Sequence, residues 1–462
     1  MLRFFYIFIT RRCQGVEKFF KLKENGTTVT TEILAGLTIF LSMAYILFVN
    51  PNILVTAMAP GAEVGSTIYN QYFGALMVAT IFGAATATLV MGLYANYPFA
   101  LAPGMGLNAY FTYTVVLKMG IPWQVALGAI FVEGIIFIIL TMSGARTYVV
   151  KVIPQNIKFA TSAGIGLFIA FIGLKSASII VSNPATFVGL GDLTKPDALL
   201  AIIGLILTGV LFALKVPGSI LLGIILTTII GAFPIFGVTH YQGIVGKIPS
   251  LAPTFMKLQL SWGDLLSGSF WVVVLTFFFV DFFDTLGTLT GLAQSAGFIK
   301  KGESDFPRSN KAYMADAIGT SVGALFGTST VTTYIESETG IAQGGKTGLT
   351  SVTVAVLMLL MLFFSPLGLT IPAAATAPAL IFVGSLMLKN LIHITWEDTT
   401  EALPAFITII MMPLTYSIAN GIALGLVAYP LIKVFSGKGK EIHWFNWILA
   451  LAFVYYLIFL QH

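Results

Sequence analysis

Hydrophobic residues along this chain do not alternate with polar ones; they run in blocks of membrane length that fill the chain almost end to end, separated by short polar stretches. A bilayer's hydrocarbon core takes about 20 helical residues to cross, so each block predicts a spanning helix. The first two are expected near 30–50, ended by Pro51, and near 71–94. NYPFALAPGMGLNAYF follows, where Pro98, Pro103, Gly104 and Gly106 rule out a continuous helix. Residues 98–103 read as extended backbone and 105–118 as a half-helix. Further helices are predicted near 122–142, 157–175, 196–214 and 217–236.

The second half repeats this order. Helices are expected near 269–295 and 311–327, then an interrupted segment, GTSTVTTYIESETG, then helices near 347–365, 372–390, 401–416 and 419–436. Residues 330–334 are rich in β-branched side chains, which suits extended chain, and Glu336 opens the half-helix after them. Two pairs of stretches support the repeat: IPQNIKFATSAGIGLF from Ile153 with IPAAATAPALIFVGSL from Ile371, and VPGSILLGIILTTIIGAF from Val216 with IANGIALGLVAYPLIKVF from Ile418. The reading is an all-α, multi-pass membrane protein of 14 transmembrane segments in two repeats of seven, 30–236 and 269–436. Residues 1–29 form a cytoplasmic segment, 237–268 an external loop, and 437–462 a C-terminal segment with a further apolar run at 444–460.

Charge fixes the expected orientation. Placing the N-terminus inside leaves only Lys118, Lys175, Lys195, Lys247 and Lys257 of the 24 Lys and Arg on the outer side. Seven is odd, so the second repeat starts on the opposite side and the repeats are inverted, an arrangement in which paired broken helices mark a midplane binding site. The net charge of +5 therefore reflects topology and implies no nucleic-acid partner. With 9% charged and 57% hydrophobic residues, no soluble domain fits anywhere. A lone Cys13 excludes a disulfide framework within one chain, and the four histidines have no metal-ligand spacing, so neither a metal nor a cofactor is expected. The opening MLRFFYIFITRRC has too short an apolar run for a cleaved signal peptide.

Against this background the acidic residues at membrane depth carry the chemistry. Asp281 and Asp284 lie in FFFVDFFDTLGTL, and Glu336 lies in the second broken segment. A carboxylate at the bilayer centre costs at least about 2.5 kcal/mol, so each needs a partner, water or a proton. The half-helix starts near Gly106–Asn108 and Ile335–Ser337 leave N–H groups that favour anions or carbonyl oxygens. Asn108 stands beside one and Glu336 beside the other. An amide and a carboxylate together can read a flat heterocycle with donors and acceptors on its edge; the alternative for Asn108 is a cap on its own helix. Asp281 and Asp284, spaced i, i+3, project from one helix face, either into the gap between the broken segments or into hydrogen bonds between helices. At least one of them is expected to take up a proton, which makes proton coupling available. Glu336 and Glu338 point about 200° apart, and Glu336 is the one assigned to the site. Glu338, Glu133 and Asp316 read as structural, and Phe282, Phe283, Tyr110, Phe111 and Tyr334 are available to stack on a ring.

These stretches resemble the nucleobase cation symporter family, which also contains the ascorbate and uracil transporters, and within it the hypoxanthine, guanine and adenine permease branch. The resemblance rests on EKFFKLKENGTTVTTEILAGLTIFLSMAYILFVNP from Glu17, ALAPGMGLNAYF from Ala100, FVDFFDTLGTL from Phe279 and TSTVTTYIESETGIAQGGKTGLT from Thr328. It covers roughly 17–440; residues 1–15 look foreign to the usual start. It implies a core domain (30–142 and 269–365) moving against a gate domain (157–236 and 372–436), with segments 3 and 10 as short strands plus half-helices. It also implies base contacts from Asp281, Glu336 and Asn108, flanked by Gly106, Ile335 and Ser337. Asp284 is then the residue for proton coupling, although the two aspartates can exchange roles. The implied function is import of a purine base by proton symport, without covalent chemistry, in a bacterial inner membrane and with a homodimer formed through the gate domain. The alternatives are an anion exchanger of the same fold, which the acidic residues disfavour, and a passive channel, which needs a continuous polar pore. An enzyme lacks support, since no nucleophile with a His base occurs at membrane depth.

Overall fold

The apolar blocks are helices, and some of their boundaries carry side-chain or glycine caps. The computed structural model describes residues 15–144, 153–299 and 306–459. The helices of the first half are α1 (Val29–Met43), α2 (Ile46–Met58), α3 (Thr67–Val90), α4 (Met105–Ala109), α5 (Trp123–Ser143), α6 (Gln155–Ser176), α7 (Pro196–Ala213) and α8 (Ser219–Gly231). Those of the second are α9 (Gly268–Ser295), α10 (Ser309–Phe326), α11 (Ser337–Ala342), α12 (Gly348–Leu360), α13 (Ala373–Met387), α14 (Thr399–Thr415), α15 (Ile418–Phe435) and α16 (Trp444–Phe459). Thr28, Ser66 and Ser417 cap α1, α3 and α15 through their hydroxyl oxygens. Gly144 and Gly327 end α5 and α10 in left-handed backbone, which a glycine adopts without strain. Among the described residues, nine helical stretches are long and apolar enough to cross a membrane. Part of the charge asymmetry falls on 1–14, 145–152 and 300–305, outside the described residues.

The expected order of elements holds, with four differences. Pro51 does not end the first helix: it lies inside α2, and the break comes earlier, at Ala44 and Tyr45. A proline clashes with the carbonyl four residues before it, here Leu47, and the unwound turn at 44–45 relieves the helix just upstream. The helix expected over 347–365 is divided, since Pro366 starts a separate turn over Ser365–Thr370 after a tighter 3-10 turn at Met361–Phe364. The stretch 237–268 is not a free loop. It is pinned to helix ends by Met256 N–H to the Leu325 carbonyl (2.8 Å) and Gln259 N–H to the Gln124 carbonyl (2.9 Å), and it contains a capped turn at Trp262–Leu266. Finally, β2 (Ile180–Asn183) and β3 (Phe187–Leu190) form an exposed hairpin that helix-length hydropathy does not detect.

Polar side chains tie the two halves together inside the core. Fully buried Glu32 on α1 accepts from the N–H groups of Lys346 (2.9 Å) and Thr347 (3.1 Å) and from Thr350 Oγ1 (2.6 Å), so it serves the start of α12 as a cap supplied from another helix. Asn50 on α2 donates to Thr80 and Thr328, both at 2.8 Å. Glycines allow close helix contact: a Cβ on Gly134 of α5 would stand 2.3 Å from Ser321 Oγ of α10. The C-terminal helix α16 packs on α15, where Tyr456 Oη donates to Asn420 Oδ1 (3.0 Å), and its Phe453 meets Phe279 of α9.

Candidate substrate site

The two broken segments cross at the centre of the helices. β1 (Leu101–Pro103) and β4 (Val331–Thr333) pair antiparallel, with Leu101 opposite Thr333, Ala102 opposite Thr332 and Pro103 opposite Val331. Tyr334 N–H to the Ala100 carbonyl (2.9 Å) and Gly104 N–H to the Thr330 carbonyl (3.0 Å) extend the pairing at both ends. Extended backbone at membrane depth has no water to bond to, so each strand supplies the other's partners. Their antiparallel course is what inversion of one repeat against the other requires.

Each strand runs into a half-helix. Met105–Ala109 continues as a wider π-helical stretch to Lys118, and α11 begins at Ser337 with Glu336 at its N-cap. The first-turn N–H groups of Met105, Gly106 and Leu107 find no backbone carbonyl among the described residues. Ser337 Oγ accepts from Ala100 N–H (3.0 Å), and Tyr334 Oη donates to the Pro103 carbonyl (2.6 Å), so each half-helix start is braced by the other segment.

Beside this crossing lies a cavity of about 100 Å³. Its polar side chains are Glu336, Asp284, Tyr45 and Thr288, and Gly104–Leu107 at the half-helix start also line it. Its apolar wall comes from Ile165 and Ile169 of α6 and Val383 and Met387 of α13. The cavity thus sits between residues of the expected core and residues of the expected gate. Glu336 accepts a hydrogen bond from Tyr45 Oη at 2.7 Å, and Asp284 lies within electrostatic reach of Glu336. Gly106 is required by close approach, because a Cβ there would fall 2.4 Å from Ile165 Cγ2.

Of the residues singled out by sequence, Glu336, Asp284, Gly106, Ile335 and Tyr334 line this cavity together. Asp281, Asn108 and Ser337 do not. Asp281 and Asp284 share the inward side of α9 but diverge across it, as three residues of helix rotate them about 60° apart. Asp284 faces the cavity, whereas buried Asp281 faces α10, where Thr320 Oγ1 donates to its Oδ2 at 3.3 Å. Asn108 is not a cap on its own helix: its Oδ1 accepts from Ser329 Oγ in the other broken segment, and its Nδ2 is unpartnered among the described residues. Asp316 has a structural place. It accepts from Thr333 N–H (2.9 Å), Thr333 Oγ1 (2.8 Å) and Thr285 Oγ1 (2.7 Å), and so fastens β4 to α9 and α10. Glu338 is at the exposed end of α11, 3.2 Å from Ser295 Oγ. Sequence reasoning missed Tyr45, Thr288 and the apolar wall residues of α6 and α13; of these Tyr45 is the one that bonds a candidate site residue. The signal was available in the SMAYILFVNP stretch, where a tyrosine sits six residues before a proline in an otherwise apolar run.

Comparison with known proteins agrees with this architecture. The chain is 45% identical over 447 residues to a guanine/hypoxanthine permease of Bacillus subtilis, covering 96% of this chain and 100% of the relative. It is 42% identical over 452 residues to an adenine permease of Escherichia coli, covering 97% of each. Among solved structures, the transmembrane domain of the cyanobacterial bicarbonate transporter BicA superposes with a TM-score of 0.63 at 17% identity, over 86% of this chain and 97% of that one, a likeness of fold alone. A family model described as a permease family matches residues 30–424. The chain belongs to that permease family, in the purine branch of the nucleobase and ascorbate transporters.

Proposed function

We propose that this protein is a secondary active transporter that carries a purine nucleobase across the membrane in symport with a proton. The observation that carries the reading is the meeting of Glu336 and Asp284 on one small cavity between the crossed segments and the helices α6 and α13. Guanine, hypoxanthine and adenine are the bases named for the relatives, and each is a flat ring whose edge carries donors and acceptors. Glu336, oriented by Tyr45, accepts from base N–H groups. The free N–H groups at Met105–Leu107 donate to ring nitrogens or a carbonyl. Ile165, Ile169, Val383 and Met387 cover the faces of the ring. Asp284 stands where it can contact the base or exchange a proton as the site changes sides. The core, 30–142 with 269–365, moves against the gate, 157–236 with 372–436, and carries the cavity with it.

Uptake of radiolabelled hypoxanthine, guanine, adenine and uracil into proteoliposomes, with and without an inward proton gradient, tests this. Gradient-driven accumulation of a purine, abolished by Glu336→Gln and by Asp284→Asn in folded protein, is expected. Bicarbonate or another anion transported in place of every base would return the function to anion exchange. The two carboxylates on the cavity argue against that second reading, since an anion bound beside them is repelled.

A further inference from the structure

Behind the cavity, between α5, α9 and α10, two acidic side chains face each other. Glu133 of α5 and Asp281 of α9 are fully buried, and their carboxyl groups are within hydrogen-bonding reach of one another. Both oxygens of Glu133 and Oδ1 of Asp281 lack a donor among the described residues. Two carboxylates are both acceptors, so they can bond to each other only through a proton held between them. Among the described residues the surroundings supply no counter-charge. Asp316 and Asp284 are the ionisable groups that reach the pair, and both are acids. The cations on the packed elements are engaged elsewhere: Lys118 with the Thr415 carbonyl, Lys158 over the Phe283 ring, Lys175 over Tyr416 and Lys311 over Tyr94. Asp316 differs from the pair, because three donors already satisfy it. Tyr110, the phenol on the neighbouring π-helical stretch, packs edge-on to Phe277.

We infer that Glu133 and Asp281 share one proton in a buried site outside the base cavity, and that this proton is the coupling ion of the transport cycle. The inference rests on the symport reading above and assigns its proton to a place the base does not touch. Neither Glu133 nor Asp281 lines the cavity, yet Asp281 and the cavity residue Asp284 lie one turn apart on α9. Loading or releasing the proton alters the charge behind that turn. Base and proton are then coupled through a rigid helix, without competing for the same atoms. Asp281 belongs to this pair in the geometry, and Glu133, assigned a merely structural place by its sequence position, becomes its partner. Gly134, the residue next to Glu133, lets α10 approach α5 closely at this level.

The full-length protein in lipid bilayers tests this in two ways. Infrared spectra at neutral pH are expected to contain a protonated-carboxyl C=O band that Glu133→Gln and Asp281→Asn each remove, because one proton serves both residues. A spectrum unchanged by both substitutions overturns the inference, as does a band displaced by sodium at constant pH, which would identify a metal-cation site. In proteoliposomes, Glu133→Gln is expected to lower proton-driven accumulation by at least about tenfold while base-for-base exchange persists, the signature of lost coupling. Wild-type accumulation by this variant refutes the assignment, and so does loss of base exchange in folded protein. If the wild type itself accumulates no purine under a gradient, the transport reading fails, and the infrared band still decides whether the pair holds a proton.

Discussion

Replacing Tyr45 by Phe removes one hydroxyl and nothing else, at the point where the candidate base acceptor is oriented. Tyr45 is 1% exposed and its Oη donates to Glu336 at 2.7 Å, so the phenyl ring of the variant fills the same space and leaves no cavity. A hydrogen bond to a charged group contributes about 1.5–3 kcal/mol, against about 0.5–1.5 for a neutral one. If Glu336 must be held still to accept from the base, most of that contribution of about 1.5–3 kcal/mol appears in binding, because the free carboxylate now rotates and must be ordered by the ligand. Each 1.4 kcal/mol is about tenfold in Kd, so the base is expected to bind roughly 10- to 100-fold more weakly. Isothermal titration of purified protein with hypoxanthine, guanine and adenine measures this directly, and a melting curve checks the fold. An unchanged Kd for the base that the wild type binds, in a variant with a normal melting curve, would refute the role given to Tyr45 and weaken that of Glu336.

Two further outcomes follow from the packing. Gly106→Ala sets a Cβ 2.4 Å from Ile165 Cγ2, so it should push α6 from the half-helix and reduce uptake; Ile165→Ala, which removes the colliding methyl, should restore part of it, and failure of the double variant to recover would place the defect elsewhere. Glu32→Ala strips the start of α12 of its acceptor and leaves the buried Thr347 N–H and Thr350 hydroxyl without it; a stability loss of about 1–3 kcal/mol per buried group is expected in chemical denaturation, and a change under about 1 kcal/mol in total would contradict the capping role.

The helices were legible because lipid imposes a single requirement, length with apolarity, on every segment that crosses it. The broken segments were legible for the opposite reason: Pro98, Pro103, Gly104 and a run of β-branched residues interrupt that pattern at matching places in the two halves. What sequence did not convey was direction. An i, i+3 spacing puts Asp281 and Asp284 on one side of α9, but the 60° between them decides that one faces the cavity and the other faces Glu133, and that angle depends on how α9 is rotated against α5 and α10. Glu32, Tyr45 and Asn108 were obscure because the atoms they bond, at Lys346, Glu336 and Ser329, lie more than 200 residues away. No local pattern records such partners. The hairpin at 180–190 had a local signal, Asn183-Pro184 between β-branched residues, which a search tuned to helix length passed over.

The pairing of β1 with β4 also sets a schedule for synthesis. At about 5–20 residues per second, the ribosome delivers Val331–Thr333 roughly 10–50 seconds after Leu101–Pro103. Throughout that interval the first strand is in or near the membrane with its backbone partner not yet made. The insertion machinery, lipid headgroups or a chaperone must shelter it, or the half-made segment must wait outside the bilayer. The first repeat is therefore not a unit that matures before the second. Two halves expressed from separate genes should each be short-lived alone and persist together, because neither can close its own backbone until the other arrives.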